Sequence, residues 1–241
     1  LLPAGRFYGL DAKCGTNDTV VALARQHPDM FAYFVNEVAD IEDAPAVIRP
    51  FLKHGAIGIG EQKFRVGSDS RFMARLAALA EEFGVPILMH FQYGVYNTDI
   101  QHFHKTLENF PKVNFIGHAQ TWWGNVDAKH DQKVLYPTGK VTPGGITDRL
   151  LADYPNIFGD HSAGSGLNFL VRDPEFAAGF IEVESTPSHG TVVIDAGGQR
   201  VSYRAVSGYT GTDAFTYTVS GIAGGFSRGW LRSRKPAALM R

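Results

Sequence analysis

The chain of 241 residues is poor in cysteine, in net charge and in long apolar runs. Its single cysteine, Cys14, excludes an internal disulfide and a metal site built from cysteines alone, which suits the reducing cytoplasm. A net charge of −1 predicts neither a nucleic-acid partner nor a membrane partner. No apolar run approaches the roughly 18 residues of a membrane span. These absences indicate an ordinary globular protein and leave homo-oligomer assembly open.

Two kinds of apolar pattern alternate from residue 1 to about residue 182. Short runs that barely alternate predict strands buried on both faces, at 6–10, 30–35, 55–64, 86–91, 113–118 and 156–160. Runs with apolar residues three and four apart predict helices, at 17–28, 43–54, 69–84, 98–110, 146–154 and 173–182. Asn17 or Asp18 is expected to cap the first helix. Six such units predict an α/β fold, an incomplete (β/α)8 TIM-type barrel, with an open doubly wound sheet as the alternative.

The pattern changes after residue 182. Residues 183–222 contain short alternating strands and glycine turns, which predict part of a small antiparallel β-sandwich, with a hairpin between "TVVID" and "RVSYR". Residues 223–241 are basic and are expected to form a disordered tail. Because residue 1 is leucine rather than methionine, and residues 1–10 lack a signal-peptide pattern, the chain is expected to be a fragment or a processed product.

Polar side chains end four of the predicted strands. Residues i and i+2 of a strand share a face, and the pairs are Glu61 with Lys63, His90 with Gln92, His118 with Gln120, and Asp160 with Ser162. Glu61, His90 and His118 are spaced by 29 and 28 residues. Because the carboxyl ends of parallel strands meet at one edge, we expect these groups to converge.

Histidine and carboxylate side chains from separate strands are typical ligands of Zn²⁺ or a similar divalent ion. His90, Glu61 and His118 are therefore the predicted metal ligands, and His118, Lys63 and Asp160 the predicted catalytic residues, with His118 moving protons. The alternative is that these side chains serve the structure alone.

Three further features have two interpretations each. Trp122 and Trp123 follow a site strand and either wall a substrate pocket or pack the segment after them. "SAGSGLN" at 162–168 is expected to be a turn, although its backbone could also bind an anion. His102 and His104 project about 200° apart on a helix, so both are interpreted as surface residues. His161 is expected to face away from the site.

Several motifs in order resemble the amidohydrolase superfamily, and in particular its branch with aminocarboxymuconate-semialdehyde decarboxylase. They are "GAIGIGEQKF", "PILMHFQ", "NFIGHAQTWWGN", "YPTGKVTPGGITDRLLADYPNIFGDHSAGSGLN" and "RDPEFAAGF", within residues 1–182. The resemblance implies a metal-dependent TIM barrel that hydrolyses C–N, C–O or C–C bonds or decarboxylates aromatic-like acids. Residues 183–220, with "GYTGTDAFTYTV", resemble part of a bacterial cadherin-like or Ig-like repeat.

The resemblance also implies roles for individual residues. His90 matches a metal ligand that ends the fifth strand, and His118 matches a sixth-strand ligand or proton-transfer residue. Glu61 and Lys63 stand at the fourth-strand end, and Asp160 at the seventh. The chain lacks the family's first-strand His-x-His and its eighth-strand aspartate. Of the family's ligands, His90 alone is clearly matched, which predicts the loss of tight Zn²⁺ binding, with partial binding through His90, His118 and Glu61 as the alternative, and leaves the activity of this chain open.

We therefore expect a metal-dependent hydrolase or decarboxylase that acts on a small organic substrate. One alternative is a secreted structural or adhesive protein that uses the Ig-like repeat and carries an inert barrel remnant. The other is an open α/β sheet that binds a phosphorylated ligand near "SAGSG", although no G-x-G-x-x-G follows an early strand.

Overall fold

Helices and short parallel strands alternate over residues 15–178 of the computed structural model. It describes residues 1–6, 15–178, 182–183, 187–194, 201–209, 213–220 and 226–233. The helices are α1 (Asn17–Gln26), α2 (Ala44–Lys53), α3 (Arg71–Phe83), α4 (Phe103–Asn109, after a 3-10 turn at Ile100–His102), α5 (Gln120–Gly124), α6 (Ile146–Asp153), α7 (Ala163–Arg172) and α8 (Pro174–Ala178). The strands are β1 (Ile59–Gln62), β2 (Ile87–His90), β3 (Phe115–His118), β4 (Ile157–Gly159), β5 (Glu182–Val183), β6 (Gly190–Ile194), β7 (Val201–Ala205), β8 (Asp213–Ser220) and β9 (Phe226–Ser233).

The four strands β1 to β4 form one parallel sheet in the order β1-β2-β3-β4. Most of their apolar side chains are buried, as expected for a covered sheet; Ile59, Ile87, Met89 and Phe115 are fully buried, and Ile116 and Phe158 are half-buried. This sheet confirms the predicted α/β class, and the TIM-type barrel remains a finer proposal. The strand predicted at 30–35 is reduced to one parallel bridge, between Val35 and Ile59. The strand predicted at 6–10 lies almost wholly outside the described residues.

The helices follow the predicted pattern with differences at their ends. In α3, the Ser70 side chain accepts a hydrogen bond from the Met73 amide at 3.3 Å, and Gly84 ends the helix with a φ of 64°. In α1, the predicted cap is wrong: Thr16 precedes the helix, and Asn17 is its buried first residue. Residues 163–168, expected in a turn, belong to α7.

The C-terminal strands are antiparallel, as predicted. β6 pairs with β7 as a hairpin, and β5, β8 and β9 form a three-stranded sheet in the order β5-β8-β9. Strand β9 lies inside the segment that was expected to be a disordered tail, so that expectation does not hold for Phe226–Ser233. Residues 234–241 lie outside the described part of the chain.

Two compact units divide the chain. One comprises Leu1–Trp123 with Asn156–Asp160 and contains the parallel sheet; the other comprises Gly124–Pro155 with His161–Arg241. The domain boundary predicted at residue 182 stays a prediction. No helix within the described ranges has the length and apolar character needed to cross a bilayer.

Candidate metal centre

Four polar side chains lie at the carboxyl ends of the neighbouring strands β1 to β4. His90 and His118 are register partners on β2 and β3, and their ring centroids are 5.4 Å apart. Glu61, His90 and His118 each offer one ligand atom, and these atoms lie within 4.8 Å of one another. Asp160 directly follows β4 and joins the group through His118. The structure thus brings the four side chains together, as the strand-end pattern predicts.

An irregularity in β1 directs Glu61 toward the histidines. Ile59 pairs with Ile87 but Gln62 pairs with Met89, so three steps on β1 match two on β2. Without this bulge, Glu61 would pair with Met89 and face away from His90, because side chains alternate along a strand. Bulges are frequent beside active sites, where they redirect a side chain. Nothing in the sequence pattern predicts the bulge in β1.

Gly60 permits the bulge. Its φ of 139° lies in a region that residues with a Cβ rarely adopt. A Cβ at this position would also lie 2.8 Å from the Leu88 carbonyl oxygen of the neighbouring strand. The glycine in "GIGEQ" therefore meets two requirements of the site strand, its backbone conformation and its close approach to β2.

His118 is held between two carboxylates. Its Nδ1 lies 2.8 Å from Asp160 Oδ2, and its Nε2 lies 3.7 Å from Glu61 Oε1. Burial lowers the pKa of His118, but the hydrogen bond and charge of Asp160, together with the charge of Glu61, outweigh burial and raise it. A histidine whose Nδ1–H is donated to a carboxylate presents Nε2 as the free ligand nitrogen, which is the usual arrangement of a metal-binding histidine.

Glu61 also hydrogen-bonds the other histidine, through Oε1 and His90 Nδ1. Burial alone would raise the pKa of the Glu61 carboxyl. The hydrogen bond with His90 and the positive charges around the carboxylate, Lys63 among them, outweigh burial and lower that pKa. Glu61 is therefore held as a carboxylate, the form in which it can bind a cation.

The two nitrogens of His90 differ in their surroundings, because Nδ1 bonds Glu61 and Nε2 lies on the other side of the ring. His90 is only 7% exposed, and its Nε2 has no hydrogen-bond partner among the described residues. A buried polar atom without a partner is costly, so it needs a ligand or an ordered water. Two imidazoles and one carboxylate form a donor set that suits Zn²⁺. The side chains present therefore fit a divalent ion.

Lys63 lies just beyond the end of β1. Its Nζ is 5.3 Å from the centroid of the Tyr96 ring, and that ring meets the His90 ring edge-on at 5.7 Å between centroids. Lys63 is half-buried, and its ammonium group has no hydrogen-bond or ion-pair partner in the part of the chain that the structure describes. It adds a positive charge near the carboxylate of Glu61.

The second members of the predicted polar pairs do not extend the strands. β2 ends at His90, and Gln92 forms a backbone bridge with Tyr96. β3 ends at His118, and Gln120 begins α5 rather than continuing the alternation. Ser162 precedes α7. The prediction that these side chains share a strand face with the first members is therefore wrong.

The two tryptophans pack against the sheet. Trp122 is fully buried and stacks on Phe91 with ring centroids 5.5 Å apart. A Cβ on Gly117 of β3 would lie 2.4 Å from the Trp122 ring, and one on Gly159 of β4 would lie 2.7 Å from Trp123. Trp123 donates from its indole N–H to the Asp160 carbonyl at 2.8 Å. Both rings therefore pack, but against the sheet rather than, as the packing interpretation had it, against the segment after them.

Three further histidines, His102, His104 and His161, have contacts of their own. His102 is exposed in the 3-10 turn, and His104 Nδ1 lies 3.1 Å from the Gln101 carbonyl, in agreement with a surface position. His161 packs against Phe169 of α7, with ring centroids 5.5 Å apart.

Sequence reasoning missed two buried asparagines beside the site, Asn36 and Asn97. Asn36 follows directly on the apolar run 30–35, so the strand-end criterion that selected His90 would have selected it too. Asn97 lies in the loop after β2, where nothing in the local pattern distinguishes it.

Comparison with known proteins gives two matches. A sequence family described as a bacterial Ig domain matches residues 157–232, which supports the Ig-like resemblance of the C-terminal part. That match begins in β4 and passes through α7 and α8, so only its later part coincides with antiparallel strands. An uncharacterized TIM-barrel protein from Bordetella bronchiseptica, known from a crystal structure, is 20% identical with a TM-score of 0.44. The match covers 61% of this chain and 48% of that one, so the chain spans about half of that protein's length. No curated protein matches the chain.

Proposed function

We propose that the chain is a divalent-metal-dependent hydrolase of small organic molecules, with an amidohydrolase-like barrel as its scaffold. The observation that carries the proposal is the convergence of Glu61, His90 and His118 at the carboxyl edge of a parallel sheet. This edge is where parallel βα folds carry their chemistry. Two buried histidines and a carboxylate are also an unusual set to leave together without a ligand.

His90, His118 and Glu61 would hold the ion, for which Zn²⁺ is the best match to the donor set. When bound, such an ion acts as a Lewis acid and brings the pKa of a bound water to about 7. Asp160 lies 2.8 Å from Nδ1 of His118 and would restrain the ring as its ion-pair partner, with the opposite nitrogen 3.7 Å from Glu61. If His118 does not bind the ion, the same pair could instead take up and return a proton, since Asp160 stabilises the imidazolium form of His118.

The ammonium group of Lys63 is evidence that the substrate carries an anionic group. It lies over the Tyr96 ring and has no hydrogen-bond or ion-pair partner among the described residues. A substrate carboxylate would supply that partner. A carboxylate beside an electrophilic metal site also suits decarboxylation, which is therefore the alternative reaction of this same site.

Calorimetric titration of Zn²⁺ into chelator-treated protein tests the proposal. The wild type should bind one equivalent, and His90→Ala should bind more than about 100-fold more weakly because a ligand is lost. The matched control is His104→Ala, which removes a histidine of α4 outside the cluster. Equal binding by wild type and His90→Ala, or binding by neither, contradicts the metal centre.

Activity is tested on the same three proteins with p-nitrophenyl acetate as a chromogenic probe. We expect hydrolysis that needs added Zn²⁺ and that is lost in His90→Ala but kept in the control. Release of CO₂ from a panel of aromatic acids, without ester hydrolysis, would assign the decarboxylase reaction instead. Failure of both reactions in Zn²⁺-loaded wild type would contradict an active enzyme.

A second candidate is a structural or adhesive module, favoured by the bacterial Ig match and by the antiparallel strands β5 to β9. Such a module would bind a bacterial envelope preparation whether or not a chelator is present. Fluorescently labelled protein that sediments with envelopes in EDTA would support this candidate, and protein that stays in the supernatant would contradict it.

A further inference from the structure

We propose that Asn36 and Asn97 are positioning residues that hold the Glu61 and His90 backbones in the arrangement that the metal centre needs. The inference rests on the proposed metal site and adds to it the groups that set its geometry. Both side chains are buried, with exposures of 2% for Asn36 and 1% for Asn97. Neither reaches the cluster with its own polar atoms, so both act through the residues that they bind.

Asn97 joins the carboxyl ends of two site strands. Its Nδ2 donates to the His90 carbonyl of β2 at 2.9 Å and also to the Gln62 carbonyl of β1. A single amide group therefore spans the two strands next to the residues that carry the cluster. Its backbone is anchored as well, because its N–H donates to the Phe64 carbonyl at 3.0 Å.

Asn36 holds the bulged part of β1 from the other side. Its Nδ2 donates to the Glu61 carbonyl at 2.6 Å, and its Oδ1 accepts from the Gln62 side chain. Asn36 is itself fixed by Asn17, which donates to its carbonyl at 2.9 Å and accepts from its N–H at 3.0 Å. The chain of amides thus runs from the first residue of α1 to the peptide of Glu61.

The bulge explains why side-chain amides are needed here. The extra residue of a bulge is left outside the regular ladder, so its backbone groups need other partners. Asn36 and Asn97 provide donors to the carbonyls of Glu61 and Gln62, at the place where the ladder of β1 and β2 is irregular. Without those donors, buried carbonyls lose their partners and the bulge that directs Glu61 loses its restraint.

The backbone of Asn97 determines the best substitution. Its φ of 41° is in the left-handed region, which asparagine and glycine tolerate better than other residues. Asn97→Gly therefore removes the Nδ2 donor without adding backbone strain, whereas alanine would add strain unrelated to the hydrogen bonds.

A matched control exists at the opposite end of the same sheet. Asn156 is also buried, and its Nδ2 donates to the carbonyls of Leu107, Phe110 and Val113 at 3.1 to 3.3 Å. It precedes β4, so it lies at the amino ends of the strands rather than at the cluster. Asn156→Gly removes the same atoms and a similar set of bonds, and it should lower stability without touching the metal centre.

The test measures Zn²⁺ affinity by chelator competition and the visible absorption of the Co²⁺-substituted protein, at a temperature where all variants are folded. Asn97→Gly should bind Zn²⁺ about 10–100-fold more weakly than wild type, the usual cost of losing an outer-shell partner. It should also change the Co²⁺ spectrum, because the ligands move. Asn156→Gly should keep the wild-type affinity and spectrum despite its loss of stability.

Asn36→Ala supplies an independent variant should Asn97→Gly fail to fold, and the same loss of affinity is expected from it. Wild-type affinity and an unchanged spectrum in Asn97→Gly or Asn36→Ala would overturn the positioning role and leave the metal site intact. An equal loss of Zn²⁺ affinity in Asn156→Gly would also overturn the positioning role, because general destabilisation of the fold would then be enough to explain the loss. Absence of Zn²⁺ binding in the wild type would overturn the inference together with the proposed function.

Discussion

A methyl group added to β3 should disturb the packing directly beneath the candidate site. Gly117 precedes His118, and the Trp122 ring covers it so closely that no side chain fits between them. In Gly117→Ala the new Cβ would lie 2.4 Å from two atoms of the Trp122 ring. The substitution therefore forces the strand and the indole apart.

The cost can be worked out from these contacts. Carbon atoms pack at about 3.5–4.0 Å, so the ring or the strand has to move by about 1 Å. The ring has little room to move, because it is fully buried and stacked on Phe91 at an angle of 27°. Overpacking of a dense core costs about 1–3 kcal/mol, and we expect Gly117→Ala to lie in the upper half of that range.

Urea unfolding, followed by tryptophan fluorescence, measures this loss. Gly67→Ala is the control, since a Cβ there would meet only ordinary contacts of 3.5 Å or more and its free energy of unfolding should change by less than about 0.5 kcal/mol. Trp122→Phe, which reduces the ring, should cost less in the Gly117→Ala background than in the wild type. Equal unfolding midpoints for the two alanine variants, or strictly additive costs in the double variant, would refute the packing argument.

Three further predictions follow from the described contacts. In Asp160→Asn the pKa of His118 should fall, because less negative charge then opposes the effect of burial, which lowers this pKa. NMR titration of the His118 ring in metal-free protein measures the pKa, and an unchanged value would contradict the contact with Asp160. Ala119→Gly should raise the free energy of unfolding by up to about 1 kcal/mol, because the φ of 80° at Ala119 is strained for alanine. A lower free energy of unfolding in urea would contradict this strain. The pKa values of Asp127 and Asp173 are below the ordinary 3.8, since burial raises each but hydrogen bonds from backbone amides and a basic side chain outweigh it. The two carboxylates should therefore contribute fully to the free energy of unfolding above about pH 3.8, and this contribution should be lost as the pH falls through their lower folded-state pKa values. Below about pH 3.8, the urea midpoint of Asp127→Asn should thus decline less steeply with falling pH than that of the wild type.

The sequence could predict the parallel sheet and the residues at its edge. Buried strands of a parallel sheet are continuous apolar runs, and a histidine or carboxylate at the end of such a run stands out. His90, His118 and Asp160 could be identified in this way because each follows a clear run. The register that makes the two histidines partners is given by the structure.

The internal geometry of the site could not be predicted, because it depends on contacts between distant segments. The bulge in β1 arises from its pairing with β2, so the alternation of residues within β1 does not predict it. The amides of Asn36 and Asn97 acquire their roles only when the loop after β2 and the segment after Val35 meet at Glu61. The early ends of β2 and β3 likewise come from the turns that follow them, which removed Gln92 and Gln120 from the predicted strand faces.

Anomalous diffraction from crystals grown with Zn²⁺ is the most direct measurement of the central claim. We predict one strong peak at coordination distance, about 2.0–2.2 Å, from a nitrogen of His90, a nitrogen of His118 and an oxygen of Glu61. A peak bound elsewhere while these three side chains keep their mutual contacts, or the absence of any peak among them, would contradict this prediction.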